Sequence, residues 1–495
     1  MRINKVKSKA FAISGVLILL AASLANLVIR SSDPFKPTEN VELNSLDAYY
    51  DQQINWKSCY SEFECGTFKV PINYEDLKLG DFDIAVMKKP SPKAVGNLVI
   101  NPGGPGGSGV DYVFSYQSVF TNQIIKNFNL IGFDPRGVGR SAPIKCLSDA
   151  QIDASYAENS YPGSDAELAK FQEENARYAE NCKKKSNYLE YYGTANAARD
   201  MDILRQILGD ERLNFLGKSY GTYLGSLYAK LFPEKVGRFV LDGAVDPTIN
   251  SMEQSLQQAV GFDLAFNAFA QECLKLESCV LNSDYLNQVE SKLAEIRTSP
   301  IKVGNRELTE SLAMYGIAMG LYDKDLGWPE LRRALRDLFA GNGKSLLDMA
   351  DTYTGRDSSG RYQSNEADAL NVILCNDFPV SDLDFEATKS AAPFFGKYVA
   401  YGDLTCKYLP HGKFELITSP INLESKVLII GTKNDPATPY KWALKLAEIL
   451  NNSRLVSLDS DGHTGYNRGS GCVDQTVEKY LISGVIPAQD LTCSA

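Results

Sequence analysis

The sequence predicts an α/β protein, with a mostly parallel sheet flanked by helices and a helical block inserted into it. Three observations predict this. Continuous Val/Ile/Leu runs recur without the apolar–polar alternation of a half-exposed strand, which suits strands buried on both faces. Helical patterns alternate with several of these runs, as in an open α/β sheet. The alternation stops near residue 248 and resumes at 426, so the intervening stretch reads as an insertion into one domain. The domain reading is therefore an N-terminal segment at 1–30, an α/β core in two parts at 31–247 and 421–495, and a helical cap at 248–420.

Residues 31–55 are polar and irregular and read as a leader lying over the surface. Strands are expected at 66–72, 83–88, 97–101 and 128–133, and then at 213–217, 238–243, 426–431 and 454–458. Helices are expected at 195–208 and 220–231. The inserted block carries helical patterns at 251–277, 284–296, 307–321, 329–350 and 383–400. A smaller charged, helical interruption occupies 147–190. The tract GRDSSGRYQSNE at 355–366 is polar and reads as a loop. No internal repeat is present.

The 495 residues suffice for two or three domains, and 44% apolar with 23% charged residues is an ordinary globular composition. The net charge of −10 leaves no basic excess to cover a nucleic-acid backbone, so a nucleic-acid partner is excluded. The two histidines, His411 and His463, are too few for a His-rich metal site. No metal or organic cofactor is expected.

Arg2, Lys5, Lys7 and Lys9 precede an uncharged run from Ala10 to Ile29, the pattern of an export signal. Ser23 and Ala25 supply the small residues of a cleavage site. A retained run would be long enough to tether the chain to a membrane. Either way the mature chain is exported, to the periplasm or beyond. Export gives meaning to the ten cysteines, all beyond this segment, because an oxidising compartment makes disulfides the default. Pairing sequence neighbours gives Cys59–Cys65, Cys146–Cys182, Cys273–Cys279, Cys375–Cys406 and Cys472–Cys493.

Gly217-Lys218-Ser219-Tyr220-Gly221 fits G-x-S-x-G. The pentapeptide alone is weak, but it follows the strand run LNFL and opens a helical run. A sharp strand-to-helix turn of this kind presents the Ser219 hydroxyl at a helix N-terminus, where the dipole favours negative charge. Asn101-Pro102-Gly103-Gly104-Pro105-Gly106-Gly107-Ser108-Gly109 follows the run NLVI. It lacks the Lys-Ser/Thr ending of a phosphate-binding loop. Beside a nucleophilic serine its role is an oxyanion hole, with backbone donors at Gly104 (or Gly103) and at Tyr220.

A serine needs a base. His463 lies in a loop after the last core strand run, where sites gather in open α/β sheets, whereas His411 sits in the insertion as a surface residue. Asp435 follows the strand run KVLIIG and gives the chain order Ser219, Asp435, His463. Asp242 or Asp246, after the 238–243 run, is the competing acid. Asp461 stands too close in sequence to fold back onto the His463 ring.

NPGGPGGSG, GFDPRGVGRS, GKSYGTYLG, VLDGAVDP, GTKNDPATPY and the Gly462-His463 pair occur together in this order. With the closing stretch CVDQTVEKYLISGVIPAQDLTC, the chain resembles the secreted tripeptidyl/prolyl aminopeptidase group of α/β hydrolases over residues 55–493. The resemblance implies the α/β-hydrolase fold and the triad Ser219, Asp435 and His463. It implies a helical cap over the site. It also implies a serine exopeptidase that releases short peptides or single residues from substrates with a free N-terminus. Prolyl aminopeptidases usually begin the oxyanion loop with His where this chain has Pro102, a departure from strict prolyl specificity. An aminopeptidase also needs a carboxylate for the substrate ammonium, and the cap supplies Glu253, Asp263 and Glu272 among others. The same machinery suits a carboxylesterase or lipase. A non-catalytic surface protein on a hydrolase scaffold fits less well, because all three triad residue types are present.

Overall fold

The computed structural model describes residues 34–35, 43–380 and 385–495. The N-terminal segment at 1–30, expected to be an export signal, lies outside them. Among the described residues, no helix is long and apolar enough to cross a membrane.

Ten strands form one sheet. In chain order they are β1 (Lys57–Cys59), β2 (Phe63–Pro71), β3 (Asp81–Lys89), β4 (Asn97–Asn101), β5 (Asn129–Phe133), β6 (Leu213–Lys218) and β7 (Val236–Asp242). After the small hairpin of β8 (Ile301–Val303) and β9 (Arg306–Leu308) come β10 (Val427–Asn434), β11 (Ser453–Asp461) and β12 (Leu491–Ser494). The spatial order is β1-β2-β3-β5-β4-β6-β7-β10-β11-β12. The first three strands pair antiparallel, and everything from β5 to β12 is parallel. All eight expected strands are present. The unforeseen strands β1, β8, β9 and β12 have three or four residues each, too few to show a period.

The uniform apolar runs follow from burial on both faces. Phe215, Phe239, Leu241, Val427 and Ile429 point into one helix-covered core. Leu216, Val240, Leu428 and Ile430 point into the opposite one. The helices Thr194–Ile207, Tyr220–Leu231 and Tyr440–Ile449 cover the first face, and Gly109–Phe114 and Gly471–Ser483 cover the second.

Between β7 and β10 the helices Ser251–Cys273, Tyr285–Thr298, Glu310–Leu321, Gly327–Phe339 and Lys344–Thr354 share a separate core. Phe262, Phe266, Phe269, Trp328, Phe394 and Phe395 fill it. The helix Glu366–Asp377 instead packs Ala369, Val372, Ile373 and Phe378 into the sheet-side core. The leader also departs from expectation. Ser45 caps a short helix, Leu46–Asp51, whose Tyr49 is buried.

All ten cysteines are paired, as Cys59–Cys65, Cys146–Cys182, Cys273–Cys279, Cys375–Cys406 and Cys472–Cys493. Each disulfide contributes about 2–4 kcal/mol, mainly by restricting the unfolded chain. Full reduction is therefore expected to lower the melting temperature by on the order of 10 °C in calorimetry. An unchanged melting curve alongside ten titratable thiols would contradict the pairing.

Candidate active site

Ser219, Asp435 and His463 all stand just past the carboxyl ends of parallel strands, at β6, β10 and β11 respectively. Ser219 is held at φ 54° and ψ −126°, a strained conformation for a residue other than glycine. Its N–H donates to the Asp242 carbonyl at 2.8 Å, and its carbonyl accepts from the Thr222 N–H at 2.8 Å. The turn is possible because a Cβ on Gly217 would meet the Gly221 carbonyl oxygen at 2.4 Å. That crowding is the physical reason for the G-x-S-x-G spacing.

The His463 ring is fixed by Asp435. His463 Nδ1 lies 2.9 Å from both Asp435 carboxylate oxygens. The carboxylate is buried and accepts further hydrogen bonds from the backbone N–H groups of Ala437, Thr438 and Thr464 and from the Thr438 hydroxyl. A buried, multiply bonded carboxylate on Nδ1 holds the tautomer in which Nε2 can take a proton. The His463 N–H donates to the Tyr322 carbonyl at 2.9 Å, and the Tyr322 ring meets the imidazole edge-on.

The competing acids serve elsewhere. Asp242 accepts the backbone N–H groups of Gly465 at 2.7 Å and Tyr466 at 3.0 Å, and it faces Lys218 Nζ at 3.7 Å. Lys218 Nζ also donates to the Tyr466 carbonyl at 2.9 Å. Asp242 thus ties the nucleophile turn to the loop that carries His463. Burial pushes its carboxyl above the usual range, and Lys218 opposes that shift. Asp246 accepts from Thr248 in a local turn. Asp461 pairs with Lys324 and accepts from Asn434. His411 is exposed and stacks on Phe414.

The glycine-rich loop after β4 lies against the nucleophile. A Cβ on Gly103, at φ 106°, would sit 2.7 Å from the Lys218 carbonyl oxygen and 3.0 Å from Ser219 Cβ. Only glycine allows this approach. The Gly103 N–H already donates to Asn101 Oδ1 at 3.0 Å. Tyr220 is the first residue of its helix, so its N–H has no intrahelical acceptor.

The cap carboxylates singled out from sequence are engaged within the cap. Asp263 accepts the N–H groups of Phe394 and Phe395. Glu272 pairs with Arg332. Glu253 is exposed in the first turn of its own helix and accepts from Gln257. The carboxylate beside the glycine-rich loop is Glu366, in a helix that the sequence reading missed. Its Oε1 lies 3.3 Å from where a Gly104 Cβ would be. Asn365 pins the start of this helix by bonding the Gly137 and Ile144 carbonyls and the Gly139 N–H. An Asn followed by an acidic first turn is a helix-start signal, and it could have revealed the helix.

The model of the α/β hydrolase fold family matches residues 96–467. A Mycobacterium tuberculosis protein named serine protease Hip1 is 36% identical over 479 residues, covering 89% of this chain and 91% of that protein. A second M. tuberculosis protein, named carboxylesterase B, is 34% identical over 473 residues, covering 89% of this chain and 90% of its own length. A Streptomyces coelicolor protein named tripeptidyl aminopeptidase is 29% identical, covering 89% of this chain and 86% of that protein.

Proposed function

The chain belongs to the α/β-hydrolase fold family and is a serine hydrolase of peptidase type; from that premise we propose that it is an exported exopeptidase acting on free peptide N-termini. Ser219 attacks the scissile carbonyl while His463 Nε2 takes the hydroxyl proton. Asp435 holds the ring and balances the imidazolium. The tetrahedral oxyanion is met by the Gly104 and Tyr220 N–H groups, since the Gly103 N–H is committed to Asn101. Collapse passes the proton from His463 to the leaving amine and leaves an acyl-Ser219. Water, deprotonated by the same histidine, then hydrolyses it.

The observation that carries the exopeptidase reading is the cap's attachment to the histidine loop. Besides the His463–Tyr322 bond, Asp323 bridges to Gly462 and forms an ion pair with Arg468 at 2.7 Å. A chain lying across Ser219 meets this roof on one side, which favours a chain end over a chain middle. The five disulfides and the N-terminal signal pattern support export.

The test compares a tripeptidyl amide reporter with its N-acetylated form on purified mature protein. A kcat/KM at least about 100-fold higher for the free amine is expected, because an unmatched ammonium subsite rejects the acetyl form. Equal rates would sink the exopeptidase reading. A second reading, an esterase, is favoured by the relative named carboxylesterase B. Hydrolysis of short aryl esters, with neither amide cleaved, would establish it.

A further inference from the structure

The Gly104 and Tyr220 N–H groups come from loops distant in sequence, and an oxyanion hole works only while both stay aimed at one point. The elbow itself gives a reason for drift. The strained Ser219 backbone joins directly to the peptide unit that carries the Tyr220 N–H. As the first residue of its helix, Tyr220 has no intrahelical hydrogen bond to fix that N–H.

The Tyr220 side chain is held instead. Its hydroxyl is hydrogen-bonded to Thr194 Oγ1. Thr194 Oγ1 in turn donates to Asp377 Oδ2 at 2.5 Å, and the Thr194 N–H donates to Asp377 Oδ1 at 2.6 Å. Thr194 is 0% exposed and Asp377 4%, so bulk water does not compete for these bonds. An ionised carboxylate only accepts, and it takes the Thr194 hydroxyl proton. That leaves Thr194 Oγ1 as the acceptor for the Tyr220 hydroxyl. Burial pushes the Asp377 carboxyl up to about 7, so this direction holds at pH 8. The N–H bond alone would cap the helix Thr194–Ile207, whose N-cap is Gly193. The hydroxyl link to Tyr220 adds nothing to that cap.

Asp377 ends the helix Glu366–Asp377, and the start of the same helix meets the other donor's loop. A Cβ on Gly104 would lie 3.3 Å from Glu366 Oε1, and one on Gly106 would lie 3.1 Å from Glu366 Cα. The end that carries Asp377 is anchored. Cys375 is bonded to Cys406, and the Asn376 side chain donates to the Leu189 carbonyl and accepts the Gly412 N–H. The Tyr223 ring lies 6.2 Å from Tyr220 and 5.3 Å from Phe378, which adds ring packing between the two helices.

We propose that Thr194 and Asp377 are positioning residues for the oxyanion hole, aiming the Tyr220 N–H through the Tyr220 hydroxyl, with the helix Glu366–Asp377 as the strut shared with the glycine loop. The proposal rests on Gly104 and Tyr220 as the oxyanion donors. It does not require a substrate with a free N-terminus.

The test follows Ser219 phosphonylation by a fluorophosphonate probe at pH 8 on full-length mature protein. The phosphonyl oxygen enters the oxyanion hole, and the probe has no peptide N-terminus. Thr194→Val keeps the shape and the N–H bond to Asp377 but loses the hydroxyl. Tyr220→Phe loses only the other hydroxyl, on a half-buried side chain. Each is expected to slow labelling about tenfold, less than the roughly hundredfold or greater cost of deleting an oxyanion donor. The double variant should also be about tenfold slow, because either change breaks the same relay. Thr194→Ser should restore the rate to within about twofold of the unmutated protein, since it returns the hydroxyl. On any reporter that is cleaved, the loss should fall on kcat and leave KM unchanged. Losses that multiply to about a hundredfold in the double variant would overturn the proposal. So would an unchanged labelling rate in Tyr220→Phe, which decides the matter if Thr194→Val melts lower than the unmutated protein. In Gly104→Ala the added Cβ would meet the Gly106 nitrogen at 2.7 Å and displace the other donor. A labelling rate unchanged by Gly104→Ala would sink the donor assignment, whatever the relay variants show. Labelling of the unmutated protein without cleavage of either tripeptidyl reporter would sink the exopeptidase reading and leave the relay standing.

Discussion

Ser219→Ala is expected to lower kcat on a free-amine tripeptidyl amide by about a millionfold, the loss seen when the nucleophile of a serine peptidase is removed. KM should change little, because the cleft that binds the substrate stays intact. The size of the effect follows from the site's design. Asp435 holds His463 through Nδ1, and the elbow presents Ser219 at the helix N-terminus. The substitution should hardly affect folding. The strained backbone at φ 54° is imposed by the Gly217–Gly221 contact and by the bond to the Asp242 carbonyl, and alanine meets the same constraints as serine. Loss of labelling by a fluorophosphonate probe, with an unchanged circular dichroism spectrum, would accompany the loss of turnover. Activity within tenfold of the unmutated protein would show that another group is the nucleophile.

Asp242→Ala is expected to cost about 3–5 kcal/mol of stability in urea unfolding with the disulfides intact. Asp242 is fully buried. Its removal strands the buried Lys218 ammonium, whose protonated form is already disfavoured by burial, and leaves it the Tyr466 carbonyl as hydrogen-bond acceptor. It also orphans the N–H groups of Gly465 and Tyr466. Since those residues lie two and three positions after His463, kcat should fall as well. The double variant Lys218→Met/Asp242→Asn should recover much of the stability, because it removes both charges while the amide oxygen still accepts a backbone bond. A single variant as stable as the unmutated protein would show that the pair does not hold the loop.

The contrast between Asp242 and Asp435 shows where the sequence stops being legible. Both acids stand at the carboxyl ends of core strands, and both fit a triad by chain order. What separates them is the path of two loops. The turn after β10 brings its carboxylate onto the imidazole, while Asp242 faces the backbone beyond it. The cap carboxylates repeat the lesson. Asp263 and Glu272 are satisfied by segments distant in sequence, whereas Glu366 belongs to a helix preceded by a polar tract that reads as loop.

By itself the sequence determined the parallel sheet, the Ser219 elbow, the glycine loop, the place of His463 at the carboxyl edge of the sheet and the pairing of cysteines along the chain. Each of these rests on short-range causes: burial on both faces of a strand, steric crowding in one turn, or residues near one another in sequence. Tertiary structure alone decided which carboxylate orients His463, which N–H of the glycine loop is committed to Asn101, and which acid lies against that loop. Those choices depend on contacts between segments tens to hundreds of residues apart. Packing of the cap and the loops sets such contacts, and no local pattern encodes them.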